Sequence, residues 1–430
     1  MLSRRKFIGV SSLAVVGTAC GAESTMAEDA AGRSSLPIAI RDLQPMKDGV
    51  RPISVAERSA RIDRARELMA ANSLGAIMLA GGTSLEYFTD VRWGNSERMF
   101  AMVLPAEGRA FIVCPAFEEG RAREQLDKGP LADTDVLTWH EHESPYALVA
   151  SGLRDRGLSS GRLGIEETVK FLFSDGIAAA APTLELTSAT PVTAGCRGRK
   201  DAHELELMRH ASAVTLKAYD AAFRSLQDGM TQDDFSGLIS AAHSRLGYPG
   251  YASVQVGEYS ALPHGSITPQ VVREGSIILI DGGCGVEGYR SDISRTFVLG
   301  KATDRMKQVF DVEREAQDAA LAAARPGVPC EAVDAAARKV IVDAGFGPDY
   351  RFFTHRVGHG LGMDGHEWPY LVRGNTLALA PGMTFSDEPG IYIPGEFGIR
   401  LEDDMVITEE GAELFTPQSG SLEDPFAVAV

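Results

Sequence analysis

Cysteine is scarce: the 430 residues hold five, none in Cys-x-x-Cys spacing, which argues for neither a disulfide framework nor a zinc knuckle. Positive charge is also short. Against 59 Asp and Glu stand 42 Lys and Arg, a formal net charge of -17 that would repel polyanions, so no nucleic acid or anionic membrane is expected as a partner. Long apolar runs are missing apart from one short stretch near the start, and 44% hydrophobic with 23% charged residues is the balance of an ordinary soluble protein. Collagen, bulk disorder and a multi-span membrane protein are thereby set aside. What remains is a chain long enough for two globular units with well-sized cores.

Ser3-Arg4-Arg5-Lys6-Phe7 precedes an apolar stretch over residues 10–16 and then small and polar residues. Basic, apolar, small is the order of an export peptide, and the stretch is too short to span a bilayer stably. Paired arginines just before a phenylalanine mark the twin-arginine route, which moves folded proteins and so suits a cargo loaded with metal before crossing. Residues 1–27 are read as this signal peptide, with cleavage after Ala27. The other processing route leaves Cys20 as a lipidated first residue, although Gly17 stands where an aliphatic residue is usual. The expected compartment is the periplasm, reached through the twin-arginine export machinery.

A polar leader over residues 28–53 gives way to apolar residues at helical spacing over 54–71, and residues 75–80 then read as a buried strand. Shorter strand-like runs, 99–104 and 110–114, flank turn residues at 105–108. Together these predict an α/β domain over residues 54–195. Its boundary is a loop over 195–201 leading into a long helix, in which Asp201 and Glu204 have capping-box spacing and Leu205, Met208, Ala211 and Leu216 line one side. The second domain, residues 196–430, contains an internal echo: Gly229 and Gly327 stand 98 positions apart, as do Gly247 and Gly345, and an amphipathic helix with a glycine stop lies between Gly229 and Gly247 in one copy and between Gly327 and Gly345 in the other. A period this long is no solenoid. It predicts a duplicated half-domain, whose halves face each other across a pseudo-two-fold and leave a cleft where their sheets meet.

The chemistry-bearing residues fall in that second domain. Residues 276–281 form an apolar, β-rich run ending in Asp281, and after a glycine-rich connection residues 289–297 read as the returning strand, carrying Asp292. A hairpin of that length brings both carboxylates to one space, where they repel unless one is protonated or a cation lies between them. Downstream, His355, His359 and His366, three of the nine histidines, fall within twelve residues, and the glycines around His359 let backbone approach closely. Glu388 stands before a Pro-Gly turn that ends a strand, and Glu402 follows the strand-like Gly398-Ile399-Arg400-Leu401. Singly, each has an ordinary structural explanation as a turn acceptor, a hydrogen-bonded histidine or a solvated acid. Jointly, two Asp, one His and two Glu at strand ends make a five-ligand set with one nitrogen, the donor type suited to divalent manganese, iron, cobalt or zinc. One ion would leave too much negative charge uncompensated, so two are expected.

With these motifs the sequence resembles the creatinase/aminopeptidase P/prolidase family of metallopeptidases, from about residue 55 to 415. The resemblance rests on Leu262-Pro263-His264-Gly265, the Asp281 to Asp292 hairpin with Ser294-Arg295-Thr296, His355 with His359, His366-Glu367-Trp368-Pro369, Glu388-Pro389-Gly390 and Arg400-Leu401-Glu402. It implies an α/β fold of the α+β kind: a C-terminal pita-bread metallopeptidase domain of pseudo-two-fold halves, with a smaller N-terminal creatinase-type α/β domain. It also implies that Asp281 holds one ion and His359 and Glu388 the other, that Asp292 and Glu402 bridge, and that manganese is the expected metal. The reaction implied is hydrolysis of the peptide bond before proline by hydroxide held between two cations. In that scheme Glu388 handles the proton, and His355 and His366 donate hydrogen bonds to developing charge. His264 and Arg400 match positions that shape the substrate pocket. Trp93 and Arg98 match a segment that caps a neighbouring subunit's cleft in related dimers, so a homodimer is expected.

One position departs from the archaeal-type prolidase pattern. There an arginine directly follows His-Glu-Trp-Pro and grips the substrate's free carboxylate, whereas here the place is taken by Tyr370. Either Arg373 substitutes for it by a bidentate grip, or the pocket is open to longer peptides. A non-peptidase reaction on the same metal site, amide hydrolysis or elimination from a small zwitterion, is the alternative. Its lyase branch carries an aspartate two residues after the first ligand, where this sequence has Gly283.

Overall fold

The computed structural model describes residues 36–427. The export leader, the cleavage point at Ala27 and the lipidation candidate Cys20 lie outside the described residues.

The N-terminal domain is organised by an apolar pentapeptide, Ala76–Ala80, whose five residues are all buried. Such a run has no polar face to leave in water and needs cover on both sides. It stands inside a six-stranded mixed sheet ordered Asp135–Trp139, Phe111–Pro115, Ala101–Pro105, Ala76–Ala80, Gly161–Ile165, Leu184–Ser188. Met78 joins Phe111, Trp139 and Ile177 in the core on one face, whereas Ile77 and Leu79 meet Ile62, Ala65 and Met69 of the helix Val55–Ala71 on the other. That helix starts in a capping box: Ser54 accepts from the Glu57 N–H, and the Glu57 carboxylate accepts from the Ser54 N–H.

The boundary differs from the expected loop. Residues 195–197 complete the helix Thr190–Arg197, because Pro191 opens it and Val192 and Cys196 bury in the core beneath Val55–Ala71. Only residues 198–200 separate it from Asp201, which caps the helix Ala202–Phe223 with Glu204 as predicted. Leu207, Met208, Ala211, Val214 and Ala218 form the buried face of that helix, while Leu205 and Leu216 are half-buried at its margins.

Two similar halves follow. Helices Ala202–Phe223 and Gln232–Leu246 precede an antiparallel sheet of Gly250–Val256, Ile277–Val286 and Ile293–Val298. Helices Asp304–Ala323 and Cys330–Asp343 precede a five-stranded sheet ordered Glu367–Leu371, Gly358–Gly360, Thr384–Asp387, Asp403–Ile407, Ala412–Leu414. The internal echo holds in detail. Gln232 and Cys330 open equivalent helices, Gly247 and Gly345 both take positive φ, and isolated antiparallel bridges anchor Thr231 in one half and Pro329 in the other.

The halves join along Ile293–Val298. Glu402 N–H donates to the Ser294 carbonyl, and the Thr296 hydroxyl exchanges hydrogen bonds with the Arg400 backbone. Between them the fully buried Arg295 donates to Asp403 at 2.7 Å and to the carbonyls of Ser294, Glu402 and Pro417.

The glycine-rich segment after Asp281 is strand, not connection. Ile277–Val286 runs through Gly282, Gly283 and Gly285, and the turn is Glu287-Gly288, both at positive φ, which matches the twist of paired strands. Neighbouring backbone explains the glycines: a Cβ on Gly283 would lie 2.0 Å from the Ser291 carbonyl oxygen, and one on Gly358, beside His359, 2.0 Å from the Ser386 carbonyl oxygen. Gly358→Ala is therefore expected to push the His359 strand off its neighbour and to cost about 1–3 kcal/mol. A denaturant midpoint unchanged from the parent would contradict this.

Candidate metal centre

Strand register places the first two carboxylates. Asp281 lies opposite Ser294, and alternation sends Asp292, two residues before Ser294, toward the same face. The opposite half supplies His359 from Gly358–Gly360, Glu388 from just past Thr384–Asp387, and Glu402 from the junction between Phe397–Arg400 and Asp403–Ile407. Their donor atoms fall into overlapping sets, each within 4.8 Å: Asp281, Asp292 and Glu402; His359, Glu388 and Glu402; and Asp292, His359 and His366. Glu402 is shared by the first two. All five expected ligands line one cleft of about 380 Å³, together with His264, His355, His366 and Arg400.

Electrostatics in the cleft are unbalanced. Burial, and next to it the charge of Asp281, push Asp292 up to about 7. Burial and the charges of Asp292, Glu388 and Asp281 hold Glu402 well above the ordinary carboxylate range. For His359 and Glu388 burial opposes ionisation, but their mutual contact at 3.2 Å outweighs it, raising His359 to about 9 and lowering Glu388 to about 2. Arg400 Nη2 sits 2.7 Å from Asp281. Carboxylates that must hold protons to coexist are short of positive charge, and four of them with one imidazole match a hard or borderline divalent cation. The residues fit such ions.

Tautomers follow from the partners. The Nδ1 of His359 faces the Gly360 carbonyl at 3.0 Å, so the proton sits there and Nε2 points to Glu388 and Asp292. His355 Nδ1 likewise donates to the Arg356 carbonyl at 2.8 Å, and its Nε2 accepts from the Tyr392 hydroxyl at 2.7 Å. That hydroxyl accepts in turn from Arg400 Nη1 at 2.9 Å. Burial holds His355 below its usual range. In this arrangement it orients Tyr392 and, through it, Arg400. His366 differs. Its ring stacks 3.9 Å from that of His359, and Arg356 Nη2 approaches its Nδ1 at 3.4 Å, leaving the proton on Nε2 to be donated.

The other expected substrate contacts separate. Arg373 pairs with Asp349 at 2.8 Å and lines a different depression, so it does not grip a ligand in this cleft. Tyr370 lines a neighbouring depression that shares His366, and lies under the guanidinium of Arg356 at 4.1 Å. Trp93 stacks on Phe100 at 4.0 Å and Arg98 pairs with Glu141 at 2.8 Å, both apart from this chain's own cleft. Glu367, next to His366, turns instead to Arg197 and Lys200 at the domain boundary; burial opposes its charge, but those two cations lower it to about 2.

Sequence reasoning assigned no role to Ser294, Tyr392 or Arg356. Ser294 donates to Glu402 at 2.6 Å and accepts from Arg400 Nε at 2.9 Å, a place that its register opposite Asp281 could have indicated. Tyr392 and Arg356 carry no such signal, since each acts through a fold-dependent neighbour.

Residues 206–409 match the pattern of metallopeptidase family M24, and residues 61–198 match the creatinase/prolidase N-terminal domain. The chain is 31% identical over 368 residues to an Xaa-Pro dipeptidase of Lactobacillus helveticus, covering 84% of this chain and 98% of that protein. It is 35% identical over 367 residues to a probable dipeptidase PepE of Mycobacterium bovis, covering 85% and 96%. The crystal structure of dipeptidase PepE from Mycobacterium ulcerans superimposes with a TM-score of 0.81 at 33% identity, covering 87% of this chain and 99% of that one. Fold and cleft thus define a two-domain, divalent-metal hydrolase of the pita-bread type. The chain belongs to metallopeptidase family M24, in its Xaa-Pro dipeptidase and prolidase group.

Proposed function

We propose that the protein hydrolyses the peptide bond before proline in short peptides, as an Xaa-Pro dipeptidase or aminopeptidase. In this reading Asp281, Asp292, His359, Glu388 and Glu402 hold two divalent cations, manganese foremost, with iron, cobalt and zinc as the other candidates. The observation that carries it is the pair of donor sets sharing Glu402 at the seam between the halves, inside one cleft. When bound, such cations polarise a scissile carbonyl and acidify water near neutral pH. Glu388, whose Oε1 accepts from Ser386 at 3.1 Å, is ionised and placed to take a proton. His366 donates from Nε2 to charge developing on the substrate. Arg400 holds Asp281, and the His355–Tyr392 pair holds Arg400. Val372 gives the cleft an apolar wall for a pyrrolidine ring.

Cation binding must expel the protons held by Asp292, near 7, and His359, near 9. Both are lost on raising the pH, so metal affinity is expected to climb between about pH 6 and pH 9, with proton release. Titration calorimetry in buffers of different ionisation enthalpy measures both; affinity independent of pH would contradict the ligand set.

The alternative reaction is not favoured, since the relatives are dipeptidases and Gly283 has no room for a side chain. Metal-loaded protein offered Gly-Pro, Ala-Pro and a longer Xaa-Pro-Xaa peptide tests the function. Cleavage of the dipeptides supports a dipeptidase, cleavage of the longer peptide alone an aminopeptidase, and cleavage of none ends the peptidase reading. The proposal extends to location and assembly: export through the twin-arginine machinery to the periplasm, with lipidation at Cys20 as the other processing route, and a homodimer in which Trp93 faces the partner's cleft. Cell fractionation, the mass of the mature chain and light scattering test these in turn.

A further inference from the structure

Recognition of a dipeptide requires a positive group for its free carboxylate, and both places that the sequence offered are closed. Position 370 is tyrosine, and Arg373 is occupied by Asp349 outside the cleft. Two guanidinium groups line the cleft itself, those of Arg356 and Arg400. Arg400 is 3% exposed, and its N–H groups are taken up by Asp281, Ser294, the Pro263 carbonyl and Tyr392. It is committed to the architecture of the centre.

Arg356 differs on each count. It is half-buried at the cleft wall, and among the described residues it has no carboxylate partner. Its guanidinium lies 4.1 Å from the centroid of the Tyr370 ring, and its Nη2 stands 3.4 Å from His366 Nδ1. A cation over an aromatic face is steadied without being neutralised. The charge is therefore held beside His366, and apart from the Nη2 contact to that ring its N–H donors are free of protein partners among the described residues.

We infer that Arg356, propped on Tyr370, binds the free carboxylate of the Xaa-Pro substrate, in place of the arginine that the tyrosine replaces. This rests on the reading of the chain as an Xaa-Pro peptidase. The exchange is physically coherent. An arginine at 370 would repel Arg356, whereas a tyrosine supports it, and a planar guanidinium meets a carboxylate with two parallel hydrogen bonds.

Steady-state kinetics on Ala-Pro and on its amide, for the parent and for Arg356→Lys and Arg356→Met, test the inference. The parent is expected to favour the free acid by about 10- to 100-fold in kcat/KM. In Arg356→Met that preference collapses, mainly through a higher KM for the acid, with a much smaller change on the amide. Arg356→Lys keeps part of it, as a charge without the fork should. Calorimetric titration with N-acetylproline and its amide, which needs no turnover, is expected to show the same loss of discrimination. A parent with no preference, or an Arg356→Met variant that loses acid and amide equally, overturns the inference; the second result would mean that Arg356 acts only through His366. Cleavage of neither peptide by metal-loaded parent refutes the peptidase reading along with it. Cleavage of both with discrimination untouched at position 356 refutes this inference alone.

Discussion

Glu402→Gln is expected to empty the centre of both cations and to lower kcat/KM by on the order of 10³-fold or more. The reason lies in its position. Glu402 belongs at once to the set with Asp281 and Asp292 and to the set with His359 and Glu388, so one lost charge weakens both. Its orientation is fixed by the Ser294 hydroxyl at 2.6 Å and by its own N–H on the Ser294 carbonyl, which ties it to the opposite half. Glutamine preserves shape and removes charge, so the folded protein should survive while metal affinity does not. His359→Ala is the informative contrast: Asp281, Asp292 and Glu402 remain together without it, and one ion per chain is expected to persist. Elemental analysis and activity of both variants check this pair of outcomes, and a Glu402→Gln protein that retains two ions contradicts the shared role.

Arg295→Met carries the largest expected effect on stability, a loss of about 3–5 kcal/mol. Arg295 and Asp403 are both wholly buried and 2.7 Å apart. Without the guanidinium, Asp403 keeps Thr416 at 2.6 Å and Gln317 at 3.1 Å but no cation, and the carbonyls of Glu402 and Pro417 lose their donor. Denaturant titration of the metal-free protein measures the loss. Replacing Asp403 by Asn in the same background should recover part of it, because the cost is dominated by the stranded charge. A loss below about 1 kcal/mol would mean that the seam does not depend on this pair.

Much of this arrangement was legible from residue order alone. Asp201 with Glu204 gave a helix start that the structure reproduces, because a capping box is a local device. Ala76–Ala80 read as a buried strand because five consecutive apolar residues have no other economical place. The five proposed ligands were found as strand-end residues, and all five converge. What failed to show depends on distant neighbours. The glycines after Asp281 look like a turn until the Ser291 and Tyr251 carbonyls are seen pressing on them. Residues 195–197 look like a loop until the buried contacts of Cys196 are known. Arg373 stood out in sequence and Arg356 did not, because the Asp349 that pairs with the first and the Tyr370 ring that lies under the second are fold-dependent neighbours.

The most direct test of the paired-ion centre is to strip the unmodified protein of divalent ions and restore manganese stepwise, following activity and bound metal together. Activity should be absent at the start and should level off when two ions are bound per chain. Full activity in stripped protein, or a plateau reached with no metal retained, would contradict the centre proposed at Asp281, Asp292, His359, Glu388 and Glu402.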